Sequence, residues 1–415
     1  MVGIQEFILY CSLFIALFFE VFLLITYFEV RSEIEEENEM VKKDLKYFPT
    51  VSIIVPCFNE EKTVEATIKS LFNLDYPREL LSILLVNDGS TDGTLKALKQ
   101  FDGHPQVRII DKVNGGKHTA VNLALESVNT DLVGCLDADS FVSPDALKKI
   151  AHYFEDLTVM AVTPSIKVHN PNNVIQHIQK TEYSWSIFLR RMLSSLGALY
   201  VTPGPFSIFR TKVFRDLGSY KYAYMTEDME MALRMQKNHY RIVNAHSAHV
   251  YTVTPRTLPS LVKQRTRWTY GFINNVMDYK ALFFNRKYGN IGMFVLPIAL
   301  FSIFSTLYII SNILWKTGNT VFDLVVRYQA VGFNWNPSFP SFDWYFMNTG
   351  FITMLSMTAV GMTMFILYLS FKLAEGKFRF NRGIVYYLFL YTFMVPLWLV
   401  KALFDTLLKR EVSWR

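Results

Sequence analysis

Leu81-Ser82-Ile83-Leu84-Leu85-Val86, running directly into Asn87-Asp88-Gly89-Ser90, is the stretch that decides the fold. Its apolar run is short and bounded by turn residues, so it reads as a strand buried on both faces. Asn-Asp-Gly-Ser ends the strand, and a helix opens at Thr91. Upstream, Val51-Ser52-Ile53-Ile54-Val55-Pro56 has the same texture and is closed by proline. Asn59-Glu60-Glu61 follows, and then helical periodicity over Thr63 to Phe72. Downstream, a third strand over Val107 to Ile110 leads into Asn114-Gly115-Gly116-Lys117. A helix over His118 to Val128 precedes a fourth strand over Asp131 to Leu136. Strand and helix alternate four times, which predicts a doubly wound α/β domain with a mostly parallel sheet. Such sheets bind ligands beyond the carboxyl ends of their strands.

Polar clusters lie at those ends. Asp88 stands where a strand stops, placed to accept a hydrogen bond from a nucleobase or ribose. Asn114-Gly115-Gly116-Lys117 opens a helix, with glycines that admit close backbone approach and a cation for a diphosphate. Asp137-Ala138-Asp139 closes the fourth strand. If the strand continues, both carboxylates share a face and converge on a hard cation such as Mg²⁺ or Mn²⁺. Each cluster taken singly is also ordinary turn chemistry; three consecutive strand ends are harder to explain that way. No G-x-G-x-x-G follows the first strand and no G-x-x-x-x-G-K-[ST] loop occurs, so dinucleotide binding and Walker-type ATPase chemistry are disfavoured.

Beyond the fourth strand, Val174 to Leu199 reads as an amphipathic helix, either at a membrane surface or packed on the α/β domain. Val201-Thr202-Pro203-Gly204-Pro205-Phe206 is a rigid segment before a strand at Ser207 to Arg210, and reads as a sugar-site wall or a simple turn. Thr226-Glu227-Asp228 precedes a helix over Met229 to Asn238. An acidic pair there is a helix cap or, for Asp228, a general base. In Gln264-x-x-Arg267-Trp268, an amide, a guanidinium and an indole fall on one side of a helix. They offer a fork for phosphate and a flat face for a sugar. The bland alternative is a basic membrane-surface helix carrying Lys263, Arg265 and Arg267.

The chain has 415 residues, is 51% hydrophobic and carries a net charge of +6, with a mean hydropathy of +0.19. The charge is too modest to suggest nucleic acid, and basic residues cluster beside apolar spans. Cys11, Cys57 and Cys135 lack metal spacing and read as reduced thiols. Phe7 to Phe28 is long and apolar enough for an anchor, broken only by Glu20, which either meets another span or sits protonated or near an interface. Arg31 to Lys46 reads as a solvated helical linker. Further spans are expected at Ile291 to Leu314, Met347 to Ser370 and Ile384 to Phe404. Lys280, Arg286 and Lys287 precede the first; Lys372, Lys377, Arg379 and Arg382 fill the last loop. The positive-inside rule puts both in the cytosol. An external C-terminus then conflicts with Lys409, Arg410 and Arg415, unless a re-entrant segment lies in Trp315 to Asp343.

Asp88, Asp137-Ala138-Asp139, Thr226-Glu227-Asp228 and Gln264-x-x-Arg267-Trp268 occur in the order found in processive membrane glycosyltransferases of family 2, which the chain resembles over Val51 to Gly271 and its flanking spans. That group includes cellulose, chitin, hyaluronan and poly-N-acetylglucosamine synthases. The resemblance implies an α/β GT-A domain, Rossmann-like, combined with transmembrane and interfacial helices. It divides the chain into an anchor (1–30), a charged linker (31–48), a cytosolic catalytic domain (49–255), an interfacial helix (256–290) and a membrane region (291–415). It implies a nucleotide-sugar donor, most often UDP-linked, inversion at the anomeric carbon, and translocation of a β-linked glycan across the plasma (inner) membrane. Asp228 would be the base, with Glu227 beside it. Pro56, Glu60, Asp88, Lys117, Asp137, Gln264 and Arg267 would hold the donor. Pro203, Gly204, Pro205 and Trp268 would meet the acceptor glycan, and Asp139 with Asp137 a Mg²⁺ or Mn²⁺. The lipid bilayer is a further expected partner; accessory subunits or a second copy stay open. Thr-Glu-Asp stands where hyaluronan-type enzymes tend to have Gly-Asp-Asp, which argues against a hyaluronan product; the single N-terminal span and short C-terminal set look more like the chitin-oligosaccharide and poly-N-acetylglucosamine synthases. The rivals are a single-sugar transferase to lipid and a catalytically silent binder of nucleotide sugars.

Overall fold

A computed structural model describes residues 4–332 and 350–410. Its centre is one eight-stranded sheet. The helices α1 (Ile4–Glu29) and α2 (Arg31–Met40) lead into β1 (Val51–Cys57), α3 (Val64–Phe72), β2 (Leu81–Asp88), α4 (Thr94–Lys99), β3 (Val107–Lys112), α5 (Lys117–Leu125) and β4 (Leu132–Cys135). These four strands run parallel in the order β3-β2-β1-β4, as the alternating pattern predicts. The remaining strands are β5 (Ser140–Val142), β6 (Val159–Val168), β7 (Ser207–Arg210) and β8 (Arg241–Thr252). β7 runs antiparallel between β4 and β6, β8 is parallel to β6, and β5 is antiparallel to β8. Aliphatic residues of the central strands, among them Ile53, Val55, Ile83 and Leu85, pack with Ile68 and Leu71 of α3 in a fully buried core. That packing fixes where the strand ends and their polar turns stand.

The helices α6 (Ala146–Tyr153), α7 (Val174–Ser195), α8 (Lys212–Leu217), α9 (Glu227–Lys237) and α10 (Leu258–Asp278) accompany the second group of strands, and α11 (Leu296–Val331) comes next. Of the two places open for α7, the structure shows the packed one: it lies on β6 and β8 with Ile178, Ile187, Phe188 and Met192 buried. The Asn173 carboxamide caps it by accepting from the Gln176 N–H at 2.9 Å. The charged run of α2 is not fully solvated. Ile34 is buried, and Glu37 accepts from Arg191 at 2.9 Å.

Among the described residues, four helices are long and apolar enough to cross a membrane: Glu6–Glu29, Ile291–Ala330, Phe351–Glu375 and Arg382–Leu407. Contacts divide the chain into two units, one of α1 up to Phe22 with Ile298–Ile366, and one of Leu23–Pro297 with the residues from Leu367 onward. In the first, Glu20 meets another apolar helix, α12 (Phe351–Glu375), by accepting from the Thr363 hydroxyl at 2.5 Å. α11 stays helical from Leu296 to Val331, seventeen residues past the span end expected at Leu314. The described part of Trp315 to Asp343 is therefore a continuation of that helix; the rest, Met347 and Arg415 lie outside the described residues. In the second unit, α13 (Arg382–Tyr386) passes through a π-turn at Tyr387–Tyr391 into α14 (Thr392–Leu407).

Candidate active site

The floor of the site is set by Asp88 at the end of β2. Its carboxylate accepts from the Gly115 N–H at 3.0 Å, the Gly116 N–H at 2.9 Å and the Lys112 ammonium at 2.6 Å. The Asn114 amide donates to the Asp88 carbonyl at 2.9 Å. Gly116 has φ +90°, a conformation that favours glycine. Asp88 thus shapes the turn that starts α5 at Lys117, and three of a carboxylate's roughly four acceptor positions are used. Sequence alone left that carboxylate open for a nucleotide. Across the floor, the Glu60 N–H donates to the Thr94 hydroxyl at 2.8 Å, and the Glu60 carboxylate accepts from Thr63 at 2.9 Å. Pro56 is the penultimate residue of β1, paired with Val86.

Above the floor lies a buried charge cluster. The Lys117 ammonium donates to Asp137 at 2.5 Å and stands 3.7 Å from Glu227. Pro203-Gly204-Pro205 lies against this pair. A Cβ on Gly204 would come within 2.5 Å of the Lys117 ammonium and 3.1 Å of both Asp137 carboxylate oxygens. The same loop is tied to the acidic pair, because Thr202 donates to the Asp228 carbonyl through its hydroxyl at 2.7 Å and its N–H at 3.2 Å. The Asp228 carboxylate accepts from the Met229 N–H in the first turn of α9 at 2.9 Å. Burial, with Glu227 as a like charge beside it and Lys117 opposing, pushes the Asp228 carboxyl up to about 6.

Asp137 and Asp139 do not lie on a continuing strand. β4 stops at Cys135 and β5 starts at Ser140, so the pair occupies a turn and the strand-alternation argument does not apply. The turn still brings them together. Burial, then repulsion from Asp137 and Glu60, pushes the Asp139 carboxyl up to about 7, against a hydrogen bond from Ser140 at 3.2 Å. Among the described residues no group of three or more His, Cys, Asp or Glu is preassembled for a metal. Two hard oxygen donors with excess buried negative charge nevertheless fit a divalent cation that takes its other ligands from phosphate and water.

The wall is α10. Gly271 faces Thr226 so closely that a Cβ there would come within 2.8 Å of the Thr226 Cβ. One turn on, the Asn275 amide donates to the Thr226 hydroxyl at 2.8 Å. These contacts seat α10 on the start of α9. Burial pulls the Arg267 guanidinium down, while Glu227, Asp228, Asp137 and Asp139 all raise it. Trp268 is 37% exposed, and the Arg265 guanidinium lies 4.2 Å from its ring centroid. The Gln264 carbonyl oxygen accepts from Arg265 at 3.2 Å. Sequence reasoning missed Thr202, Gly271, Asn275 and Arg265. Arg265 carried a signal: residues two apart on a helix do not face each other, so Arg265 and Arg267 had to serve different surfaces.

Residues 49–271 match the family model described as glycosyltransferase like family 2. The poly-beta-1,6-N-acetyl-D-glucosamine synthase of Staphylococcus epidermidis is 29% identical over 250 residues, 60% of this chain and 60% of that protein. The synthase of the same name from Staphylococcus aureus strain COL is 28% identical over 271 residues, 64% of this chain and 65% of that one. Each match spans less than two thirds of the relative's length. A mannosyltransferase from Pyrobaculum calidifontis, solved in complex with GDP-Man and Mn²⁺, shares the fold with a TM-score of 0.59 at 19% identity, covering 95% of this chain and all of that one.

Proposed function

The chain belongs to glycosyltransferase family 2 and is a membrane glycosyltransferase with a GT-A-type domain, and from that premise we propose that it is a processive, inverting enzyme. Its donor is a UDP-linked sugar, N-acetylglucosamine foremost, and its product a β-linked glycan that it moves across the membrane. The observation that carries this reading is Asp228, whose carbonyl ties down Thr202 beside Pro203-Gly204-Pro205, next to Glu227, which stands 3.7 Å from the Lys117 ammonium; burial holds the Asp228 carboxyl up at about 6. The names of the staphylococcal relatives support the sugar.

The chemistry follows from these positions. Lys117 and Arg267 place two cations against the donor diphosphate, which leaves with the bonding electron pair. Asp228 accepts the proton of an acceptor hydroxyl as that oxygen attacks the anomeric carbon from the opposite side. A single displacement inverts the centre, so an α-linked donor gives a β-glycoside. Asp139 and Asp137 would hold Mg²⁺ or Mn²⁺, which when bound would neutralise diphosphate charge. Asp88 keeps the Gly115-Gly116 turn open beside the donor, with Pro56 and Glu60 on the same floor. Gln264 would serve the diphosphate with Arg267 and the acceptor end with Trp268, and Pro203-Gly204-Pro205 would wall the acceptor. The basic residues Lys280, Arg286 and Lys287 support a cytosolic catalytic domain in the plasma (inner) membrane.

The test uses the full chain purified in detergent with a panel of radiolabelled nucleotide sugars, with chelator and with Mg²⁺ or Mn²⁺ restored. A polymer made from UDP-N-acetylglucosamine, cleaved by β-linkage-specific glycosidases and lost in chelator, is expected. Transfer of a single sugar to lipid overturns the polymerase reading; full turnover in chelator overturns the metal. A cysteine at exposed Lys99 should resist an impermeant thiol reagent in intact cells; labelling before lysis reverses the orientation.

A further inference from the structure

Arg265 is 4% exposed, and its guanidinium cannot shed its charge. A buried cation of that kind needs partners, and its terminal nitrogens and its face find them while its Nε has none among the described residues. One face of it covers the Trp268 ring, with Cζ 4.2 Å from the centroid, and the Tyr183 ring lies at 5.9 Å. One terminal nitrogen donates to the Gln264 carbonyl oxygen at 3.2 Å. The other donates to the Glu182 carboxylate on α7 at 2.7 Å. The second oxygen of Glu182 accepts from the Tyr391 hydroxyl at 2.9 Å. Tyr391 closes the π-turn that joins α13 to α14, stacked on Tyr387 at 4.7 Å and tilted against Trp398 at 5.6 Å. π-turns are rare and recur at functional sites. A continuous chain of contacts therefore runs from an apolar helix, through Glu182 and Arg265, to the indole and amide on α10.

We propose that Arg265 is a positioning residue: it sets the orientation of the Trp268 indole and the Gln264 amide, and is itself set by Glu182 and Tyr391. This rests on the acceptor role given to Trp268 under the proposed function. Arg267 feels the charge of the donor-side carboxylates, and Arg265, two residues away on another surface of the same helix, serves the acceptor side. A lysine cannot stand in, because a point charge can neither stack on the indole nor fork between Gln264 and Glu182. The cation–ring contact is worth more when desolvated, as here. A shift of the π-turn would tilt the indole, so the last apolar helix and the acceptor surface move as one.

The test measures three quantities in Arg265→Lys, Glu182→Gln and Tyr391→Phe: the KM for a short β-linked glycan primer, product length, and donor hydrolysis to water. Arg265→Lys should raise the primer KM about tenfold and shorten the product, with donor KM and hydrolysis unchanged within about twofold. Tyr391→Phe removes one hydroxyl and should move the same quantities in the same direction, by about two- to threefold; it keeps the idea testable should Arg265→Lys or Glu182→Gln fail to fold. In a Trp268→Ala background, Arg265→Lys should add nothing, since residues acting through one group are not additive. Unchanged primer KM and product length in Arg265→Lys, or in Tyr391→Phe where that alone folds, overturns the proposal. So does full additivity with Trp268→Ala, the mark of a merely structural role. If Trp268→Ala alone makes normal-length polymer, the acceptor reading fails together with this one; impaired Trp268→Ala with additive Arg265→Lys removes only this one.

Discussion

The two sides of the site are held by different kinds of bond. At the strand ends the ties span moderate separations, and those of Asp88 reach backbone. Asp88 and Gly115 are 27 residues apart, and Lys117 and Asp137 are 20 apart. On α10 the ties run from side chain to side chain over long separations. Arg265 and Glu182 are 83 residues apart, and Glu182 and Tyr391 are 209 apart. The first side is a rigid cradle that tolerates little movement. The second depends on how several helices pack, and so on everything that fixes those helices.

The comparison breaks most sharply at Asp228, where both sides meet. Asp228→Asn keeps the shape and removes the base. Glycan synthesis should fall roughly 10²- to 10⁴-fold, with UDP titration showing that donor binding survives. Wild-type polymerisation by this variant would remove the base assignment and leave the acidic pair a helix cap.

The pH profile comes next in size. An Asp228 carboxyl near 6 must be ionised to accept a proton. Turnover should be flat above about pH 7 and fall about tenfold per unit below pH 6. A flat profile down to pH 5 would contradict the role. Stability runs the other way. Folded Asp228 and Asp139 hold their protons more tightly than the unfolded chain does, so their burial costs stability as pH rises from about 4 to 7.

Gly204→Ala sharpens the cradle side. The added methyl meets the far end of Lys117 and the Asp137 carboxylate rather than backbone. Melting should hardly change, while the donor KM should rise about tenfold, equivalent to about 1.4 kcal/mol. An unchanged donor KM would place the donor elsewhere. Gly271→Ala probes the helix side and should have the smallest effect. Its methyl presses on Thr226 and lifts α10 from α9. Overpacking of about 2 kcal/mol, partly offset by about 1 kcal/mol of helix propensity, leaves a net loss of about 1 kcal/mol and should lower the melting temperature by about 2–4 °C. Primer KM should shift less than threefold.

The same contrast explains what could be read from sequence. Val51-Ser52-Ile53-Ile54-Val55-Pro56 and Leu81–Val86 announce the parallel strands because periodicity and turn residues are local signals. The polar clusters after them fall at strand ends for the same reason. Asp137 and Asp139 sit in a turn, since β4 ends before them, so the alternation of a strand does not account for their approach. The donors to Asp88 come from further along the chain, Lys112 at the end of β3 and Gly115-Gly116 in the turn after it, and nothing beside Asp88 in the sequence names them. Nothing near Arg265 names Glu182 or Tyr391, and the seat of Gly271 on Thr226 exists only once two helices pack.

The length of α11 has a consequence of another kind. Its 36 residues make a rod about 54 Å long, against a hydrocarbon layer of about 30 Å. To hide all of it the rod would have to lean by about 56°, beyond the roughly 0–40° that such helices adopt. Several turns must then stand clear of the oil. Asp323 and Arg327, four apart and in the favourable order for a helix, are near the end where those turns would meet water. A membrane thickened by sterol or longer acyl chains would draw part of that excess inward and bring these two charges closer to the apolar layer. Activity that changed with lipid chain length, in an otherwise constant mixture, would then report on this one mismatch.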